Sequence, residues 1–351
     1  MLTTRREFIL QTTAAGVLAA ASVPIARSTT DAMPKAPGAV RPGIVQTVLG
    51  PLDASRLGFT LTHEHPGRGS EKSFPTRAGS LAHAIDKLKQ ARDEGVDTVV
   101  DLTASEGGRD IRFLEELSRK SGMQIVACTG QRLFPPAYSS ERTTEELTEF
   151  FIKEIVQGID GTDIKAGVIK AASESAGVTV LEDRVLRAAA RASKATGVPI
   201  ETHTHSRSRG GLKQAEIFEA EGVSSARVSL GHSDDTDDLD YLIGLAKRGY
   251  TLGMDHTMWG MAPGAELPWQ KRADCIKRLL DAGFADRMFF SNDWVHGDVA
   301  REKVNPDGML FTLRKTIPYL MQQGVSPQQI RAVTVENPKR FFPRSEVPGH
   351  G

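Results

Sequence analysis

The run GFTLTHEHPG (residues 58–67) ends a β-prone stretch in His63-Glu64-His65. In an extended strand alternate side chains share a face, so His63 and His65 point one way and Glu64 the other. Two neutral imidazoles side by side suit a divalent metal, and a solvated loop pair would read the same. The choice turns on whether further ligands recur where one site could use them, and they do. PIETHT (199–204) carries His203, RVSLGH (227–232) closes on His232, YTLGMDH (250–256) on Asp255-His256, and MFFSND (288–293) on Asp293. Five of the nine histidines thus fall at the ends of β-prone runs, which randomly placed surface histidines would not do.

Lys170 stands in AGVIKAA (166–172), flanked by apolar residues. An unpaired ammonium is costly to bury, so a lysine inside the fold must be paired, deprotonated or chemically altered. A neutral lysine can add carbon dioxide to give a carbamate, N6-carboxylysine, an anionic oxygen ligand able to bridge two cations. The other reading is a rim lysine snorkelling to solvent.

Four histidines, one aspartate and a bridging carbamate would serve two divalent ions, zinc first, with cobalt, manganese or iron also compatible. Two such ions about 3.5–4 Å apart can share a hydroxide nucleophile. A carboxylate at Asp293 touching that hydroxide could take its proton, with His256 and Asp235 carrying it outwards. SDDTDD (233–238) also reads as the acidic start of a helix from Leu239. Of the other histidines, His205 falls at the rim, His296 at the mouth of a pocket, and His83 and His350 in solvent.

Eight β-prone runs must position these groups: 59–65, 98–103, 124–130, 166–172, 199–204, 227–232, 250–256 and 288–293. Between them lie segments such as 80–95 and 183–197, with apolar residues at helical spacing and a C-terminal glycine. Several strands are nearly continuous apolar runs, as a parallel sheet covered on both faces requires. The alternation predicts an α/β fold, a (β/α)₈ TIM barrel with a binuclear metal centre at the C-terminal ends of its strands. An open doubly wound sheet would need a glycine-rich phosphate turn after the first strand, where His-Glu-His stands instead.

The chain has 351 residues, with 44 Lys+Arg against 44 Asp+Glu, and this balance gives no reason to expect nucleic acid or an anionic membrane as partner. Cys128 and Cys275 cannot make a disulfide framework and read as small core residues. At the start, TTRREFIL pairs Arg5 with Arg6 ahead of an apolar stretch over 12–23, the pattern of a twin-arginine (Tat-type) signal peptide. The expected organisation is a signal peptide over 1–28, processed near Ala26, a Pro-rich linker over 29–43, a metal-dependent hydrolase domain over 44–343 and a tail over 344–351. The apolar stretch is too short and too rich in Ala and Gly for a confident membrane helix. The mature chain is therefore expected without a stable span, exported to a periplasmic, membrane-associated or secreted location. An uncleaved anchor is the other reading.

The residues resemble a known family. His-x-His after the first strand, lysine on the fourth, histidines on the fifth and sixth and aspartate on the eighth resemble the amidohydrolase superfamily. Within it, GFTLTHEH, GHSDDTDDLDYL, LGMDH, FFSNDW and VNPDGM are similar to the bacterial phosphotriesterase family (organophosphorus hydrolase, aryldialkylphosphatase) from about Gly43 to Phe342. The resemblance implies one metal held by His63, His65 and Asp293. It implies a second held by His203 and His232, with carboxylated Lys170 and a hydroxide bridging the pair. Related lactonases usually carry arginine where this chain has His256, so the resemblance completes an Asp293–His256–Asp235 relay, and it also implies a homodimer.

The chain departs from the family around the substrate. Arg132 stands where a pocket tryptophan is expected, Trp259 where a second pocket histidine is, and Asp298 where a phenylalanine is. The loop TMWGMAPGAELPW is also shorter. Arg132 and Asp298 are expected either to pair with each other or to bind a polar substrate, since a buried charge disfavours an apolar triester. The leading expectation is an aryldialkylphosphatase-type hydrolase cleaving organophosphate triesters by attack of the metal-bridging hydroxide. The alternative is a lactonase or carboxylesterase with the same centre and promiscuous triester hydrolysis. Either takes a small-molecule ester. A non-catalytic exported barrel would lack ligands, and none is missing.

Overall fold

A computed structural model describes residues 43–67, 73–132, 141–174 and 177–345. The expected leader and all of the linker but Gly43 lie outside the described residues, as do the last residues of the tail.

Eight parallel strands follow one another in chain order: β3 (Thr60–Glu64), β4 (Thr98–Asp101), β5 (Gln124–Gly130), β6 (Val168–Ser173), β7 (Ile200–Thr204), β8 (Val228–Leu230), β9 (Thr251–Met254) and β10 (Met288–Phe290). Each coincides with one of the eight β-prone runs. Outside them lie α1 (Arg77–Asp93), α2 (Ile111–Ser121), α3 (Thr144–Val156), α4 (Val180–Thr196), α5 (Gly210–Ala220), α6 (Leu239–Lys247) and α7 (Trp269–Asp281). The fold is the (β/α)₈ barrel that the alternation predicts. No helix among the described residues is long and apolar enough to cross a membrane.

Alternation along the strands sorts the core into two layers. Val99, Ile125, Ile169, Ile200 and Leu252 face the helices, whereas Val100, Val126, Cys128, Val168 and Phe289 fill the barrel. An antiparallel hairpin of β1 (Ile44–Thr47) and β2 (Gly50–Asp53) closes the N-terminal end, its Val45 and Leu52 joining the interior cluster with Phe341 and Phe342. The polar strand ends converge at the opposite end.

The barrel closes between β10 and β3 without a regular ladder. The Asp293 amide donates to His63 O at 2.9 Å, the His65 amide to Trp294 O at 2.8 Å, and the His63 amide to Ser291 Oγ at 2.8 Å. Glu64, the middle residue of His-Glu-His, locks this seam. It is buried and accepts from Ser291 Oγ, the Asn292 amide and side chain, and the Trp294 amide at 2.7–3.0 Å. A bulge on β3 between Leu61 and Glu64 opposes one extra residue to β4. It lets Leu61 face the helices while His63, two residues on, faces the centre.

Candidate metal centre

His63, His65, Lys170, His203, His232, His256 and Asp293 meet at the C-terminal mouth of the barrel. Lys170 is 1% exposed, and its Nζ lies 2.9 Å from His63 Nε2. Burial pushes its pKa down, with Asp293 opposing and Arg132 assisting, to about 8. The snorkelling reading therefore fails. Lys170 reaches this place because its strand runs against Gly130: a Cβ there would lie 1.9 Å from Lys170 O, and the glycine's φ of +103° is one that side chains rarely adopt.

The outer nitrogens of the histidines are all held. Asp255 accepts from two of them at once, Oδ2 at 2.8 Å from His63 Nδ1 and Oδ1 at 2.8 Å from His232 Nδ1. His65 Nδ1 is 3.0 Å from Thr103 Oγ1, and His203 Nε2 is 3.2 Å from Glu174 Oε2. The free faces then converge: His65 Nε2 lies 3.0 Å and His63 Nε2 3.8 Å from Asp293 Oδ1, and His203 Nδ1 lies 2.7 Å from His232 Nε2. Burial holds His63 and His232 well below the ordinary imidazole range and His65 at about 4, so these rings are neutral donors at neutral pH.

Asp293 Oδ1 is buried and makes no hydrogen bond, although an imidazole nitrogen stands 3.0 Å away. Bare nitrogens facing an orphan carboxylate oxygen are what a cation would join. Three sets of side chains could each hold a metal ion: His63, His65 and Asp293; His63, His232 and Asp255; and His232, His256 and Asp293. Among the described residues, His232 and Asp293 are also two of the four non-glycine residues at positive φ, 57° and 50°. Local strain of this kind persists where surrounding contacts over-determine it.

Asp293 uses its other oxygen differently. Oδ2 lies 3.0 Å from His256 Nε2, and His256 Nδ1 lies 2.9 Å from Asp235 Oδ2. Burial lowers the His256 pKa, but Asp235 and then Asp293 outweigh it and raise it to about 10. Asp235 is in turn gripped by Arg272, which also donates to Asp234 O at 2.8 Å. Asp235 is not the helix cap: Asp238 caps α6 by accepting from the Tyr241 amide, leaving Asp235 to His256. Sequence reasoning placed Asp255 at a strand end but gave it no role, and it missed Thr103 and Glu174. For Asp255 the signal was the Asp-His doublet itself, while nothing local marks the other two.

A model of the phosphotriesterase family matches residues 43–342, nearly the whole described barrel. The chain belongs to the phosphotriesterase family. It is 34% identical over 307 residues to an aryldialkylphosphatase of Saccharolobus solfataricus, covering 83% of this chain and 96% of that one. It is 36% identical over 324 residues to a phosphotriesterase homology protein of Mycobacterium tuberculosis, covering 86% and 98%. An N-acetyltaurine hydrolase of Xenopus tropicalis is 28% identical over 342 residues, again covering 86% and 98%.

Above the centre of this phosphotriesterase-family barrel, the three expected pocket residues go separate ways. Trp259 stacks on His256 with ring centroids 4.6 Å apart, and His256 stacks on His232 at 3.6 Å. Arg301 lies over the other face of Trp259, 3.2 Å from its centroid. Asp298 caps α8 (Val299–Val304) and pairs with Arg301 at 3.1 Å, so it does not pair with Arg132. Asp298, Trp259 and Arg301 line a cavity of about 250 Å³ with Met258 and Trp294. Arg132 follows β5, its amide donating to the Glu106 carboxylate, and its charge is felt at His65 and Lys170. Residues 133–140, beyond it, lie outside the described residues.

The remaining histidines correct two expectations. His296 is fully buried against Ser80 Oγ at 2.9 Å and stacks on Phe74, and it does not line the cavity beside Trp259. His83 is not simply solvated: it packs on the same Phe74 ring and sits 3.5 Å from Glu302. His205 lies at the rim, bonded to Ser208 at 2.9 Å. His350 lies outside the described residues.

Proposed function

We propose that this chain is a binuclear metal-dependent hydrolase of organophosphate triesters. The observation that supports it most is the split use of Asp293, one oxygen orphaned among imidazole nitrogens and the other bonded to His256. One ion would be held by His63, His65 and Asp293, the second by His203 and His232, with Lys170, carboxylated, between them. Zinc suits the imidazole and carboxylate donors, as do cobalt, manganese and iron. Two such ions, when bound, lower the pKa of water and polarise the phosphoryl or carbonyl oxygen of an ester. Asp293 stands where it would accept the proton that water loses. Once a bound cation offsets the Asp293 charge that helps keep His256 doubly protonated, His256 would hold only its Nδ1 proton against Asp235. Its Nε2 is then free to take the proton across the 3.0 Å contact, with Asp235 next in line at the surface end. Trp259 holds the plane of His256 by stacking, which keeps both contacts in line.

A lactone or carboxylic ester is the second substrate reading, favoured by charged residues where apolar walls would suit a triester: Arg132 after β5, and Asp298 with Arg301 in the cavity beside Trp259. A relative named N-acetyltaurine hydrolase, which by its name cleaves an amide, supports the view that this scaffold serves carbonyl chemistry too. The ratio of kcat/KM for a chromogenic phosphotriester to that for an aliphatic lactone, on one metal-reconstituted sample, decides. A triester excess of several orders of magnitude supports the first reading, and a lactone excess overturns it. Export through the twin-arginine leader is proposed on Arg5 and Arg6. Replacing both with lysine should trap the chain in the cytoplasm, and unaltered export would refute it. The family resemblance supports a homodimer, which a monomer mass in light scattering would refute.

A further inference from the structure

The histidines facing the centre differ in how their outer nitrogens are anchored. His63 and His232 rest on Asp255 and His65 on Thr103, all of them buried. His203 rests on Glu174, whose side chain is 49% exposed. Glu174 is nevertheless placed with care. Its amide donates to Glu182 Oε1 at 2.7 Å, and the other oxygen of Glu182 accepts from the Thr179 amide at 2.7 Å within the capping box of α4. The start of a helix therefore fixes the loop that carries the carboxylate.

The 2.7 Å separation of His203 Nδ1 and His232 Nε2 has two chemical meanings. If His203 carries its proton on Nδ1, the two rings hydrogen-bond to each other and neither offers a lone pair. If it carries the proton on Nε2, that proton goes to Glu174, and two bare nitrogens face the same point. A carboxylate 3.2 Å from Nε2 favours the second arrangement, and outer partners of this kind orient metal-binding histidines generally. We infer that Glu174 is a positioning residue that sets the tautomer of His203 and thereby opens the second metal position. The inference rests on the two-ion reading above. It makes the second position the one whose occupancy depends on a half-exposed carboxylate, whereas the first depends on buried groups alone.

The test uses zinc-reconstituted full-length protein, with chelator-driven metal loss followed per equivalent, and imidazole ¹⁵N spectra of the metal-free form. In Glu174→Ala the second equivalent should leave roughly 10–100-fold faster with the first unchanged. The His203 signal should also move from the Nε2–H towards the Nδ1–H tautomer. Glu174→Gln, whose amide oxygen still accepts, should fall between the two. Unchanged release with an unchanged tautomer overturns the inference, as does equal acceleration of both equivalents, which marks a general loosening. Wild-type protein holding fewer than two equivalents refutes the two-ion reading instead, and the tautomer shift still decides the role of Glu174.

Discussion

At the strand ends, each donor that faces the centre is held by a second group behind it. Asp255 grips His63 and His232 together, Thr103 holds His65, and Asp235 with Arg272 holds His256. The rim above is built from a few local contacts instead. Trp259 is held by stacking between His256 and Arg301, Asp298 by the first turn of its own short helix, and Arg132 through its backbone. The centre is a network in which moving one atom disturbs several, so it resists change. Among the described residues, Asp298 and Arg132 make no hydrogen bond to the donors of the centre, whereas Trp259 bears on His256. Asp298 and Arg132 can therefore each be exchanged singly, a way for one scaffold to take different esters without altering its chemistry. The region between, the Glu174–His203 pair, shares features of both.

This contrast makes distinct predictions. Lys170→Ala should show the largest effect: loss of most bound metal and of activity on every substrate alike, with partial rescue by short carboxylic acids. Full activity without rescue would remove Lys170 from the bridging position. Asp293→Asn should keep part of the metal but lower kcat by roughly 10²-fold or more, again for triester and lactone equally. An unaltered kcat rejects its role as proton acceptor. Asp255→Asn, which disturbs the outer nitrogens of two histidines, should weaken metal retention about 10–100-fold in a chelator titration, and wild-type retention would show that the bridge is dispensable. Arg132→Trp should leave metal content untouched and raise triester turnover relative to lactone turnover, by roughly the tenfold that a changed pocket wall can supply. A constant ratio would place Arg132 outside the pocket and blur the boundary between centre and rim.

The smallest effect concerns pH. In the folded, metal-free chain His256 is raised from 6.5 to about 10, so the folded form binds more protons than the unfolded form between those values. The stabilisation is then complete below pH 6.5 and is lost as pH rises through 10. Metal-free wild type should lose more Tm over that window than His256→Asn does, and parallel curves would show that the Asp235–His256–Asp293 contacts do not stabilise the fold.

Much of the fold and the centre was legible in the residues, because the information is local. Strand and helix differ in period, so eight alternations predict a barrel, and the barrel's own geometry tells which end of each strand carries chemistry. His63, His65, His203, His232, His256 and Asp293 needed no more than this. Of the two expectations for Arg132 and Asp298, that they pair or that they bind a polar substrate, the pairing failed. Which charge meets which depends on loop paths, and Asp298 pairs with Arg301, three residues along. His296 failed similarly: a histidine in a polar loop reads as exposed until α1 and Phe74 are seen to cover it.

The sequence alone therefore determined the alternation of elements, the family, and a set of donors at strand ends. Those follow from periodicity and from residue types at fixed offsets. The tertiary structure alone decided that Asp255 joins histidines 192 and 23 residues away, that Glu64 seals β3 to β10, and that Lys170 is buried beside His63. It also placed the Glu174 carboxylate 3.2 Å from His203 Nε2. The reason is physical: closing a barrel brings distant backbone ends within hydrogen-bond reach, and no local pattern records which side chains will then meet.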